Sequence, residues 1–207
     1  PIQSKLYFLR PQNSQFLFAD AYYPYVLKPE NLTYYNTKTP YSVIAYNCGI
    51  ATRYRDEDDV KFLFTANANR RLNFGINLDY IRAIGKYKNQ SGNIFKGSLF
   101  GSYDGERYSA NGGIIFNSIK NYENGGLKTP EVIHENNNPE TIGTNLDGTS
   151  AYSGYSYTAF VFNHHYSLGF NREIQVSEDS VRNEFIPVTR FTHSLKLSDE
   201  RKRYKEK

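Results

Sequence analysis

Residues 71–80 read RLNFGINLDY, and every second side chain (Leu72, Phe74, Ile76, Leu78, Tyr80) is greasy, whereas those between (Arg71, Asn73, Gly75, Asn77, Asp79) are polar or absent. A period of two sends successive side chains to opposite faces of a strand, and no helix satisfies it. The same period recurs along most of the chain. From Tyr41 to Tyr54, Ile44, Tyr46, Cys48, Ile50, Thr52 and Tyr54 oppose Val43, Ala45, Asn47, Gly49, Ala51 and Arg53. After the charged turn RDEDD, Phe62, Phe64, Ala66 and Ala68 oppose Lys61, Leu63, Thr65, Asn67 and Asn69. Beyond KNQSGN, Phe95, Gly97, Leu99, Gly101 and Tyr103 oppose Lys96, Ser98, Phe100 and Ser102. Past the tight turn DGE, Tyr108, Ala110, Gly112, Ile114 and Phe116 oppose Arg107, Ser109, Asn111, Gly113 and Asn117, with Ile115 breaking the polar side. Two further strands are expected from Tyr155 to Leu168 and from Ile186 to Leu197. Pro11, Pro24, Pro29 and Pro40 interrupt residues 1–40, which read as irregular.

Each alternating strand has two different neighbours, and the commonest arrangement of that kind is a soluble antiparallel sandwich. Three features point elsewhere. The strands are long, about ten to fourteen residues, where soluble strands run about five or six and tilted membrane-spanning strands need about nine to eleven. Rings gather near strand ends (Tyr80, Tyr87, Tyr103, Tyr108, Phe116), where an interfacial girdle would put them. The non-greasy faces are rich in Asn, Ser, Gly and isolated charge, which suits a water-filled lumen. Composition agrees: nineteen Tyr and fourteen Phe with no Met and no Trp favour strands over helices. The expected fold is all-β, an antiparallel transmembrane barrel built as a meander, with 1–40 a periplasmic segment and 41–207 the N-terminal strands of an incomplete barrel.

No apolar run reaches the ~20 residues a transmembrane helix needs, so a spanning role requires a closed barrel, in which no strand edge meets hydrocarbon unpaired. Turn lengths give a direction. If Asn121 to Ser150 is an outside loop, then DGE and NANRR lie inside as short periplasmic turns, and Gly169 to Glu184 forms an inside connection of about fifteen residues.

The stretches NLTYYNTKTPYSVIAY, ANANRRLNFGINLDYIRAIGKYKNQ, YSANGGIIFNSIKNYENGG and IPVTRFTHSLKL resemble, in order, the N-terminal part of the Putative porin family of Bacteroidetes outer membranes. The resemblance runs from about residue 31 to the end of the chain. It implies an outer-membrane barrel made by a chain well beyond 207 residues, and no catalytic residues. Typical members read H-x-Q-N where this chain has Thr65, Ala66, Asn67 and Ala68, so that block's role does not carry over. The charged ending RYKEK, in place of an aromatic final residue, also points to a larger protein.

Other chemistry finds little support. A net charge of +4 with scattered basic residues sets nucleic acid aside. Cys48 is the single cysteine, and His164 and His165, as strand neighbours, point to opposite faces and cannot jointly grip a metal. His134 and His193 lack companions at ligand spacing, and RDEDD lacks the glycine and spacing of a calcium loop. No nucleophile elbow, zincin motif or phosphate loop is present, so no enzyme activity, cofactor or metal is expected. Asn31-Leu32-Thr33 and Asp179-Ser180-Val181 match short glycosylation patterns, the latter on Ser180.

The expected working surface is therefore a barrel wall. Leu72, Phe74, Ile76, Leu78, Ile114 and Phe116 would face lipid, while Arg53, Lys61, Arg71, Asn73, Asn77, Asp79, Lys96, Arg107, Asn111 and Lys196 would face the lumen. A basic lumen raises the local concentration of anions. The long loop carries Glu123, Glu131, Glu135, Glu140 and Asp147, which would form an acidic constriction by folding inward or a cap by staying outside. The expected role is passive diffusion of small hydrophilic solutes across the bacterial outer membrane with mild anion preference, the partners being membrane lipid, those solutes and other outer-membrane subunits. Two alternatives stand beside it: a non-conducting scaffold barrel, and a soluble carbohydrate-binding sandwich.

Overall fold

The computed structural model describes Ala19 and residues 21–49, 57–85, 87–128, 144–146, 151–177 and 180–206. Seven strands follow one another: β1 (Tyr41–Cys48), β2 (Glu57–Asn69), β3 (Leu72–Ile84), β4 (Ser91–Asp104), β5 (Tyr108–Glu123), β6 (Ala151–Ser177) and β7 (Ser180–Glu206). They form one antiparallel sheet in chain order, with β1 and β7 as its two edges. Each strand pairs with the one before it, so the topology is a plain meander. Register keeps like with like. The row Phe64, Ile76, Leu99, Ile114, Phe160, Leu197 crosses from β2 to β7 on one face, and the row Lys61, Asp79, Lys96, Asn117, Tyr157, Glu200 crosses on the other. A one-residue slip would exchange the two sets, which is why the alternation specifies the pairing.

The two ends of the sheet differ. At the turn end, Arg70-Arg71, 105–107 and 178–179 connect the strands; at the loop end the connections are 49–56, 85–90 and 124–150. The first turn is held by the Asn69 side chain, whose oxygen accepts from the amides of Arg71 at 2.8 Å and Leu72 at 2.9 Å.

The structure corrects two sequence expectations. β1 ends at Cys48, and residues 50–56, including Arg53, lie outside the described residues. Gly169 to Glu184 is not a fifteen-residue connection: β6 and β7 run on for 27 residues each and pair up to Ser177 with Ser180. Bulges explain the misreading. The register shifts at Leu168/Gly169, where Thr189 and then Pro187 face β6, and again at Gln175/Ser177. Proline has no N–H for the ladder, and the inserted residue scrambles the two-residue period while pairing continues.

Residues 21–40 hold only two short 3-10 turns, Tyr23–Tyr25 and Pro29–Asn31, each carrying proline at its start. This stretch lies against one face of the sheet, and the main core forms between them. Ala19, Tyr22 and Val26 pack on Ile94, Ile115, Ile119, Tyr155, Tyr157 and Ala159.

Candidate functional site

The six residues expected to face lipid share the outer face of the sheet, the one opposite the N-terminal segment. Among the described residues no second layer covers this face: Phe74 is 49% exposed, Ile114 36% and Leu197 59%. Leu72, Phe74, Ile76, Leu78 and Tyr80 cover about 27 Å along β3 at the rise of an extended chain. At a strand tilt of roughly 35° that is about 22 Å of height, close to the ~25 Å apolar band of an outer-membrane barrel.

The belt's edge runs obliquely across the register. On β2, β3 and β4 the unbroken run of large apolar residues ends toward the loop end at Val60, Tyr80 and Phe95 in a single row, beyond which stand Asp58, Arg82 and Asn93, with Ile84 set apart beyond Arg82. On β5 the edge retreats one row to Phe116. On β6 and β7 it retreats another, to Phe160 and Leu197, beyond which stand Thr158 and Asp199. Two rows over four or five strand spacings is a slope of roughly 30–35°. A belt level with a bilayer has this slope only if the strands lean by that angle, close to the tilts of closed barrels.

Of the residues expected in the lumen, Lys61, Asn73, Asn77, Asp79, Lys96, Asn111 and Lys196 share the inner face. Arg71 and Arg107 do not lie on strands. They sit in the turns before β3 and β5, and Arg71 meets Glu106 at 3.2 Å. The inner cations have carboxylate partners: Lys61 with Asp59 at 2.9 Å, Lys96 with Asp79 at 2.6 Å, and Lys196 with Glu30 at 3.2 Å. These pairs mute the basic character that the sequence suggests. Between the ions runs an amide network, in which Asn73 donates to Thr65 at 3.0 Å and to Asn67 at 2.6 Å while Asn163 donates to Asn111 at 3.1 Å.

The N-terminal segment forms a strap across this polar wall. Near the turn end, the Asn67 oxygen accepts from the Thr37 amide at 3.2 Å, and its nitrogen donates to the Asn36 side chain at 2.8 Å. Midway, Tyr34 and Tyr35 lay their rings on Phe100, which lies over bare Gly75, and Leu32 rests on Gly113. Asn117 then brackets Leu27. Its oxygen accepts from the Leu27 amide at 2.8 Å and its nitrogen donates to the Leu27 carbonyl at 3.0 Å, so one side chain stands in for a strand neighbour. Toward the loop end Tyr22 stacks on Tyr155, ring centroids 5.3 Å apart and 3° from parallel. The strap therefore crosses the inner face from β2 to β6 and from one end of the wall to the other.

Glu30, on the strap, has its carboxyl held below the usual carboxylate value, first by its own backbone amide; burial opposes this, and the hydrogen bond and charge of Lys196 add to the lowering. A lowered value means that the contribution is full above the ordinary carboxylate range and is lost as pH falls through the depressed value. Because Glu30 is 66% exposed the effect is small. The strap's protection from proteolysis is expected to stay level from neutral pH to about pH 5 and to weaken only below about pH 4. Weakening already near pH 6 would contradict this assignment.

The remaining candidates are not brought together. His164 lies on the outer face, its ring 5.1 Å from that of His193, while His165 turns inward to Ser109. Among the described residues no three His, Cys, Asp or Glu side chains are grouped to hold a metal. Cys48 is exposed. The long loop folds back at its base: Gly125 and Gly126 take φ of 69° and 82°, a left-handed geometry that favours glycine, and Asn145 bonds both of their carbonyls. Glu131, Glu135, Glu140 and Asp147, with His134 and Asp179, lie outside the described residues, and Glu123 ends β5. Among the described residues no helix is long and apolar enough to cross a membrane.

A meander of long antiparallel strands with one bare apolar face and one polar face defines the class: an all-β sheet of the outer-membrane barrel type. The chain belongs to the Putative porin family, whose model matches residues 1–207. No curated protein and no solved structure matches it. The family is that of porin-like outer-membrane β-barrels, channel proteins in general.

Proposed function

We propose that this chain supplies part of the wall of a Bacteroidetes outer-membrane pore through which small hydrophilic solutes diffuse passively, with the strap of residues 21–40 narrowing the lumen. One observation carries the reading: a single sheet has a bare apolar belt on one face and an ionic, amide-lined wall on the other. Water on both sides would leave the belt unexplained, and lipid on both sides would strand the ion pairs. The obliquity of the belt supports the same arrangement. Short connections at one end and long ones at the other support placing the turn end, where the strap enters, in the periplasm.

Selectivity follows from the pairing. Lys61, Lys96 and Lys196 each offset a carboxylate, so any anion preference rests on the remaining cations and is mild. Planar-bilayer recordings of the full-length protein in a tenfold salt gradient test both points. A steady conductance with a reversal potential displaced slightly toward the anion side is expected; strong cation selectivity would overturn the charge reading. The covered wall also favours a second reading, in which the lumen is plugged and the barrel serves as a scaffold for other outer-membrane subunits. That reading predicts membrane insertion without current until the strap is removed.

A further inference from the structure

The outer face of β5–β7 changes character abruptly just beyond the apolar belt at the loop end. Arg201, Arg203 and Lys205 stand at alternate positions of β7, all exposed on that face. Lys120 of β5 lies in the same row as Arg203, with only Gly154 of β6 between them. The row on the belt side is equally small, Ser118 and Ser156 leading to Arg201. Two cations thus flank a shallow trough lined by two serines and by a glycine over which the Tyr152 ring leans. Tyr122 and Tyr152, rings 5.8 Å apart, stand at its far side, and the Lys120 ammonium lies 6.0 Å from the centre of the Tyr152 ring.

Among the described residues the charge is not balanced locally. Asp199 pairs with Arg201 at 2.8 Å, but Lys120, Arg203 and Lys205 make no ion pair among the described residues. The other described carboxylates at this end of β5–β7, Glu123, Glu200 and Glu206, lie in register on the inner face.

We infer that this trough binds the phosphorylated headgroup of an acylated lipid in the outer leaflet, an inference that rests on the barrel reading above. The occupant follows from continuity. The trough adjoins Phe116 on β5 and reaches Phe160 and Leu197 past Thr158 and Asp199, the latter paired with Arg201, so a molecule seated in it meets cations at one end and the bare apolar wall at the other. A lipid with a phosphorylated headgroup satisfies both at once: the phosphate oxygens accept from Lys120, Arg203 and the serine hydroxyls, and the acyl chains run down the belt. An acidic peptide or a free anion would use only half of the surface.

The test uses full-length protein in phosphatidylcholine nanodiscs doped with lipid A, either carrying its phosphates or stripped of them, and measures the glycolipid retained after detergent exchange. Wild type is expected to retain the phosphorylated form and little of the stripped form. The triple variant K120Q/R203Q/K205Q should retain roughly tenfold less or lower still. Asp199→Asn, which frees Arg201, should retain more than wild type and so tests the site by a gain. Millimolar inorganic phosphate should not displace the lipid. Equal retention of the stripped lipid, no loss in the triple variant together with no gain in Asp199→Asn, or displacement by inorganic phosphate alone would overturn the inference. Failure of the underlying reading looks different: the protein would dissolve without detergent and show no mobility change on boiling.

Discussion

Replacing Ile76 by Arg is expected to cost about 2 to 4 kcal/mol of barrel stability, because an arginine at mid-belt must sit in hydrocarbon. Ile76 lies between Phe64 and Leu99 in the central apolar row, with Leu72 and Tyr80 at equal distances along its own strand. The neighbouring substitution Asn77→Arg should be far milder in stability. Asn77 points to the inner face between Leu63 and Ser98, where a new cation meets the polar wall and changes selectivity instead. Urea unfolding of both variants in lipid vesicles gives the comparison. If Asn77→Arg proved the more damaging, the two faces would have been assigned backward.

Asn117→Leu is expected to release the strap. Asn117 is 4% exposed and satisfies both backbone groups of Leu27. Leucine fills similar space but offers neither partner, and each polar group left without one costs about 1–3 kcal/mol. A segment with so little regular structure of its own has few other polar anchors, among them Asn67 near one end, the exposed pair of Glu30 with Lys196, and the Tyr23 hydroxyl donating to Glu200 at 3.5 Å. The expected outcome is a rise in single-channel conductance and rapid proteolysis within residues 21–40, with the heat-dependent gel mobility of the barrel unchanged. Asn77→Leu, on the same face but without a bond to the strap, should do neither. Unchanged conductance in Asn117→Leu would mean that the strap does not narrow the path.

Much of the sheet was legible because its code is local. Two-residue alternation identified β2 through β5 and the central parts of β6 and β7, and it sorted Leu72, Phe74, Ile76, Leu78, Ile114 and Phe116 from Asn73, Asn77, Asp79 and Asn111 on opposite faces. The outer ends of the long hairpin were not legible, since a bulge at Gly169 and the missing amide of Pro187 break the period without ending the pairing.

The strap was hidden for a different reason. Its prolines erase any period, and its contacts reach across the chain to single residues such as Asn117 and Tyr155. One trace of it did stand in the sequence. Ile115 interrupts an otherwise polar side, and Ile94 and Ile119 lie on that same side. Apolar residues on a wet face call for a cover, and the irregular segment just before β1 was the nearest candidate. The ion pairs were equally non-local. Lys96 looks like a lone cation in the sequence and meets Asp79 only through the β3–β4 register.

The central claim is that the bare apolar face meets acyl chains. A nitroxide scan along β3 in lipid vesicles, with Cys48 replaced by Ser, tests it most directly. Labels at positions 72, 74, 76 and 78 are predicted to be reached by dissolved oxygen far more than by a water-soluble nickel reagent, with the contrast greatest near 76. Labels at those positions that favour the water-soluble reagent, or are shielded from both, would contradict the account.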